Sequence, residues 1–490
     1  MRETPIVIIG AGLGGLAAAI HLATGGRRVL VLERELGPGG KLRRLSVGGL
    51  EVDAGPAVLT LLPVFRALFE AGGSRLESHL DLDPLPVLGR HIWPDGRFLD
   101  LMADAQAAEA AIGDFAGAAA ARGFRDFRAR AARCYAALEK PFLTVQRPGM
   151  LALGAQAGPG LLGTSPFRTL WDALGEHFAD PRLRQVFGRM AAYVGSSPLL
   201  APATLMLVAH VELSGIWAVR GGMARLAHAL AEVAAARGAA FRYGAEVAGV
   251  VVQGGRVAGV RLRDGEAVAA RQVVFNADPA TLAAGHFGAE AARAVPGLPS
   301  GLPSGLPASR RSFSAFSWAV AGWAEGLGLP RQAVFHPTDP IAEYAALARG
   351  RMPVAPTVTL WAQGRDAPGP APEHAEPLLA LVPAPARAEE NAAGAEAAAL
   401  AAMARAGVTL RRQAIVVTTP RDFERAAPGT GGALYGQAVH GWQSIFARPA
   451  SRSALPGLYL AGGGTHPGAG IAMAALSGRL AAAAVIGERA

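Results

Sequence analysis

The chain has 490 residues, 51% of them hydrophobic, with 63 glycines, 35 prolines, one cysteine and a formal net charge of +9. At about 150 residues per domain this length predicts two or three domains around a large apolar core. The composition excludes intrinsic disorder, and the lone Cys134 excludes a disulfide scaffold. The positive charge is carried almost wholly by arginines scattered along the chain with no basic run, which excludes nucleic acid as a partner.

In chain order, residues 5–33 read as a strand (Ile6–Ile9), a glycine turn, an alanine-rich helix and a second buried strand ending at Glu33. Residues 226–252 give a helix from Leu226 to Ala236, then strands at Phe241–Tyr243 and Val247–Val252. Gly254-Gly255 predicts a hairpin turn, and Val273-Val274-Phe275 a further buried strand. Leu458–Leu460, a glycine-rich turn and a helix from Ile471 to Ile486 repeat the opening pattern. The predicted division is therefore a discontinuous nucleotide-binding domain (1–80, 226–285 and 441–490) and a second domain (81–225 and 286–440) that reads as irregular and rich in Trp and Phe. Proline at every fourth residue through 297–307 predicts an extended loop.

A mean hydropathy of +0.27 raises the question of a membrane span. Residues 5–32 are broken by glycines and by Arg27 and Arg28, and 468–487 carry Arg479 at their middle, where a bilayer would charge about 3 kcal/mol. No signal peptide is evident either, so the expected location is cytoplasmic.

Gly10-x-Gly12-x-x-Gly15 follows a strand and opens a helix, which turns backbone N–H groups and the helix dipole toward a pyrophosphate. Glu33, at the end of the second strand, is spaced to accept hydrogen bonds from both ribose hydroxyls of an adenosine. Nicotinamide and flavin dinucleotides share this fingerprint. The continuation Gly37-Pro-Gly39-Gly40-Lys41 and Asp53-Ala-Gly55-Pro56 resembles the second half of the flavin signature in the amine oxidase and phytoene desaturase superfamily, and implies FAD. Gly457 to Ile471, with Ser477 beyond it, is similar to the bacterial carotenoid desaturase signature. Asn276-Ala-Asp-Pro and Glu246-Val247 are similar to two further segments of that family. On this resemblance the FAD contacts are Gly10, Gly12, Gly15, Glu33, Arg34, Gly40, Lys41, Gly55, Pro56, Val247, Asn276, Gly462, Gly463, Gly470, Ile471 and Met473.

The implied fold is α/β: a Rossmann-like FAD-binding domain of the amine oxidase/phytoene desaturase type with an inserted mixed α+β substrate domain. Within the family, four stretches resemble the 1-hydroxycarotenoid 3,4-desaturases: Asp53-Ala-Gly-Pro-Ala-Val, His91-Ile-Trp93-Pro-Asp-Gly, Tyr193 to Glu212, and Gly431 to Gly436 with His440-Gly-Trp442. The resemblance implies FAD-dependent removal of two hydrogens from an acyclic carotenoid beside its polyene, with oxygen or a membrane quinone as the final electron acceptor. Phytoene desaturation or carotenoid isomerisation on the same scaffold, and a non-enzymatic prenyl-binding escort, are the alternatives. No metal site is expected. Candidate catalytic residues are His466 in the flavin turn, Glu212, expected as a base or else as a surface or capping carboxylate, and Arg147. The seven tryptophans are candidates to line a polyene tunnel, and Leu143–Trp171 is the candidate surface for docking on the inner membrane as a peripheral protein.

Overall fold

Ile6–Ile9 (β1) is four apolar residues in a row, all buried, the pattern of an inner parallel strand. It pairs in parallel with Val29–Leu32 (β2) on one side and Val273–Phe275 on the other; Ala240–Arg242 and Leu458–Leu460 complete the two edges of a five-stranded, all-parallel sheet. Strands from three distant blocks of sequence thus share one sheet. The structure, a computed structural model, describes residues 4–149, 165, 167–295, 297–298, 305–386 and 391–487.

The helix Leu13–Thr24 (α1) packs against Ile471–Ile486 so closely that a Cβ on Gly478 would lie 2.1 Å from the Gly14 carbonyl oxygen. With Leu62–Ala71 and Ala224–Ala236 these helices form one apolar cluster with the sheet. The expected strand at Phe241–Tyr243 lies one residue earlier, and the helix expected from Leu226 begins at Ala224. Val247–Gln253 and Arg256–Leu262 are joined by Gly254 and Gly255, with φ of +58° and +74°, as the tight hairpin demands.

The intervening stretches are not irregular, as their sequence suggests. They build the largest sheet of the protein, seven strands in the order Val408–Thr418, Ser314–Gly326, Glu376–Ala384, Val358–Ala362, Gln332–Phe335, Val87–Ile92 and Phe98–Met102. Every position from Ser314 to Gly322 is buried, so the polar alternation that marks a half-exposed strand is missing. Beside this sheet, helices Ala118–Leu138, Pro181–Ala192 and Met206–Leu213 surround Phe124, Phe127, Phe178 and Phe187, whose ring centres lie 4.7 to 5.8 Å apart. The hairpin formed by Arg44–Val47 and Leu50–Asp53 sets Val47 and Val52 on Ala319, Ala321 and Leu379, tying the N-terminal segment to the second sheet.

The tryptophans do not line one tunnel. Trp318 is sheet core, and Trp323 lies under the exposed Arg411 guanidinium, 3.9 Å from ring centre to Cζ. Among the described residues no helix is long and apolar enough to cross a membrane.

Candidate flavin site

The cradle begins where β1 ends. Gly10 adopts φ +96°, its N–H donates to the Leu32 carbonyl at 2.8 Å, and Gly12 caps α1. A Cβ on Gly15 would stand 2.1 Å from the Gly10 carbonyl oxygen, so only glycine permits this turn. The first N–H groups of α1 have no partner within the helix, and its dipole favours an anion there. Gly39 N–H donates to the Ala11 carbonyl at 2.9 Å, which lays Gly40 across Gly12.

Two later blocks close on the same turn. The Asn276 side chain donates to the Gly10 carbonyl at 3.1 Å and fills the space beside Gly14 and Gly15. Gly462 N–H donates to Ser477 Oγ at 3.2 Å and approaches within 2.8 Å of where a Gly14 Cβ would be. Glu33, 7% exposed, sits against the turn, its carboxylate accepting from Ala11 N–H at 2.6 Å and Glu35 N–H at 3.0 Å. Arg34 points elsewhere, donating to the Ala426 carbonyl and pairing with Glu35, and Val247 packs in an apolar cluster with Leu32.

On the opposite side of the turn, a Cβ at Gly55 would lie 2.0 Å from the Lys41 carbonyl oxygen, which fixes Gly55-Pro56 beside Lys41. The Lys41 ammonium donates to the Leu434 carbonyl; desolvation lowers its pKa, with Asp278 acting against that and Arg448 adding to it. Gly470, at φ +114°, caps the helix Ile471–Ile486; half-buried Ile471 packs against the core around the parallel sheet, and half-buried Met473 bridges that core and the helical cluster around Phe127.

Arg448 was invisible to sequence reasoning, being one arginine among many. It is buried and donates to the carbonyls of Tyr435, Gly463 and Gln437, each at 2.9 Å, so one guanidinium ties the flavin turn to 431–441. Desolvation pulls its pKa down to about 10, with Asp278 opposing.

His466 lies against residues 142–145, just before Arg147, whereas Glu212 is held by Arg189. His466 Nε2 donates to the Phe142 carbonyl at 2.9 Å, and burial pushes the imidazole down to about 4. That bond fastens the flavin turn to the segment carrying Phe142. Glu212 is neither a surface nor a capping carboxylate: it is buried, and both of its oxygens accept from Arg189 Nη2, at 2.7 and 2.8 Å. An acid so paired is committed to its arginine and poorly suited as a base. Arg147 is exposed. Among the described residues no cluster of side chains could hold a metal ion.

A turn with no room for a Cβ at Gly14 or Gly15, a helix N-terminus behind it and an acid at the end of the second strand fit an FAD. The chain matches the flavin containing amine oxidoreductase family over residues 13–486. It is 43% identical to a hydroxyneurosporene desaturase of Rubrivivax gelatinosus, over 98% of this chain and 93% of that one. It is 42% identical to a hydroxyneurosporene desaturase of Cereibacter sphaeroides, over 99% and 97%. An oxidoreductase of Methanosarcina mazei shares the fold, with a TM-score of 0.61, 16% identity and coverage of 99% and 100%. The cofactor is accordingly FAD, and the chain belongs to the flavin-containing amine oxidoreductases and, within them, to the carotenoid desaturases.

Proposed function

We propose that the protein introduces the C3,4 double bond into 1-hydroxy or 1-methoxy acyclic carotenoids such as 1-hydroxyneurosporene. The observation that carries this reading is identity of 43% and 42%, across almost the whole chain, to two hydroxyneurosporene desaturases. When bound, FAD supplies hydride acceptance. The chain's own task is to hold the polyene across the cofactor and to exclude water, because charge developing at an allylic carbon delocalises along the conjugated chain. Val58, Val194, Ile445, Phe446 and Met473, apolar residues only partly covered by the helical cluster, support such a binding space. The electron acceptor we propose is oxygen or a membrane quinone.

The test is incubation of the flavin-loaded protein with 1-hydroxyneurosporene, lycopene and phytoene, scored by absorption shift and product mass. Turnover of phytoene alone would replace 3,4-desaturation by phytoene desaturation, and an absorption shift without mass loss by isomerisation.

Membrane docking follows from the substrate. Carrying a forty-carbon chain through water costs about 30 kcal/mol at about 0.8 kcal/mol per carbon, so uptake is proposed to occur from a bilayer, at the inner membrane. Of the candidate surface Leu143–Trp171, residues 150–164 and 166 lie outside the described residues. Leu143 is buried, whereas Phe167 is exposed and packs edge-on against Trp442, ring centres 5.3 Å apart. Liposome flotation after deletion of 149–166 tests the surface; undiminished binding overturns it.

A further inference from the structure

Three stretches of the sequence meet at one place: that of His91 and Trp93, that running from Tyr193 to Glu212, and that containing Tyr435. Helix Pro181–Ala192 carries Arg189, whose guanidinium holds Glu212 and donates from Nε to the Tyr193 hydroxyl at 3.2 Å. Gln332 Nε2 donates to the same hydroxyl at 2.7 Å. Beside them His91 and His336 share a 2.8 Å hydrogen bond, and Trp93 Nε1 donates to Gln185. A hydrocarbon site has no use for such a concentration of buried polar groups, which cost free energy unless each is partnered.

The hydrogen-bond inventory singles out two hydroxyls. A phenol oxygen accepts two bonds and donates one. Both acceptor positions of Tyr193 are taken, by Arg189 and Gln332, so its O–H proton remains for a third group. Tyr435 is tied in through its backbone, its N–H donating to Ser312 Oγ at 3.0 Å and its carbonyl accepting from Arg448 Nη1 at 2.9 Å, so its hydroxyl is not spent on holding the residue in place. Its ring lies against Gly195, where a Cβ would be 2.6 Å from Tyr435 Cδ2, and burial and the nearby Tyr193 push its pKa up to about 12, keeping it protonated.

The same residue adjoins the flavin site. Arg448 Nη1 bridges the carbonyls of Tyr435 and Gly463, Lys41 donates to the Leu434 carbonyl, and a Cβ on Gly436 would lie 3.3 Å from Gly464 Cα. The hydroxyl of a 1-hydroxycarotenoid is only a few bonds from C3 and C4, so whatever recognises it must stand beside the flavin. Building on the reaction proposed above, we propose that Tyr435 and Tyr193 are specificity residues that recognise the substrate's tertiary hydroxyl, Tyr193 donating to its oxygen and Tyr435 accepting its proton in a hydrogen bond. Arg189 and Gln332 are positioning residues that fix which way Tyr193 donates.

The experiment compares wild type and Tyr435→Phe, both flavin-loaded, on a 1-hydroxylated acyclic carotenoid and on the same chain without the hydroxyl, presented in phosphatidylcholine liposomes. The ratio of kcat/KM for the two compounds is expected to fall by at least about tenfold, because a site built to bond a hydroxyl discriminates strongly against its absence. An unchanged ratio overturns the assignment, and so does a parallel fall in both rates. Should Tyr435→Phe lose its flavin, Tyr193→Phe is judged by the same ratio and the same outcomes. Absence of turnover by wild type on either compound sinks the reaction proposed above and not the recognition, which is then read from quenching of tryptophan fluorescence by the bound polyene. There, loss of the preference for the hydroxylated compound in Tyr435→Phe supports the assignment and an unaltered preference overturns it.

Discussion

Around Gly10–Gly15 the surfaces turned toward the cofactor are backbone, and the side chains that would cover them are missing by necessity; around Arg189 the surfaces are side chains, each held by another side chain from a different element. The first region is rigid because atoms are already in contact where a Cβ would go. The second is rigid because its donors and acceptors are almost all committed. The two regions therefore differ in what they tolerate. A single methyl group breaks the cradle, whereas the polar cluster accepts changes of shape but not the removal of one partner from a pair.

The largest expected effect follows from the cradle. Gly15→Ala places a methyl carbon 2.1 Å from the Gly10 carbonyl oxygen and 2.8 Å from Asn276 Nδ2, so the turn must open. The purified variant is expected to contain almost no flavin, measured as the ratio of absorbance near 450 nm to that at 280 nm (roughly the flavin and protein bands). Full flavin content would show that the turn has room the geometry denies. Next comes the polar cluster. Glu212→Leu leaves the Arg189 guanidinium buried without its carboxylate, at a cost of about 3–5 kcal/mol in urea unfolding. A double variant, Arg189→Met with Glu212→Leu, removes both charges and is expected to recover most of that loss. If the double variant is as unstable as the single one, the pair is held for more than charge balance.

The same contrast explains what was legible in the sequence. Glycines at 10, 40, 462 and 470 are required by the positive φ of their own turns, and Gly15 by the Gly10 carbonyl five residues earlier; such requirements leave a spacing that can be read without a structure. Asn276 was legible only through the resemblance of Asn276-Ala-Asp-Pro to a family segment, since the Gly10 carbonyl that it bonds lies far away in the chain. Glu212, a candidate base or else a surface or capping carboxylate by sequence, is buried against a partner on another helix, and no local pattern announces such an ion pair. The seven-stranded sheet escaped notice because Ser314–Gly322 is buried throughout and so lacks alternation, and because Val87–Ile92 finds its parallel partner at Gln332–Phe335, more than two hundred residues later. Arg448, Tyr193 and Tyr435 share that non-local character: their roles are defined by carbonyls and hydroxyls that only the fold brings together.

A pH experiment sharpens the comparison further. Glu343 is buried, and desolvation pushes its pKa from 4.5 to about 7 although Thr357 donates to both of its oxygens, at 2.6 and 2.7 Å. An acid with a raised folded-state pKa leaves stability untouched below the unfolded pKa, where both states are protonated. Stability then falls as pH rises from about 4.5 to about 7, where the unfolded chain ionises first, and above that a cost of about 3 kcal/mol persists. Glu343→Gln is expected to remove this slope, so that the variant gains on wild type between about pH 5 and pH 8 in urea midpoints. Parallel midpoint curves for the two proteins would mean that Glu343 does not titrate with folding.

The smallest effect is expected at His466, which lies in the flavin turn yet is held like a member of the polar cluster. Its Nε2–H bond to the Phe142 carbonyl and its edge-on contact with the Phe142 ring, centres 4.9 Å apart, fasten the turn to 139–143. With a pKa near 4 the imidazole is already neutral at physiological pH, so a pH-dependent loss of activity near neutrality is not expected from it. His466→Asn is expected to cost about 1 kcal/mol of stability, the worth of one ordinary hydrogen bond. Flavin content should survive, and single-turnover flavin reduction by substrate should stay within a few-fold of wild type. A fall in that rate of about a hundredfold or more, the usual contribution of a general base, with flavin content intact, would return His466 to the chemistry and leave Phe142 as the residue that orients it.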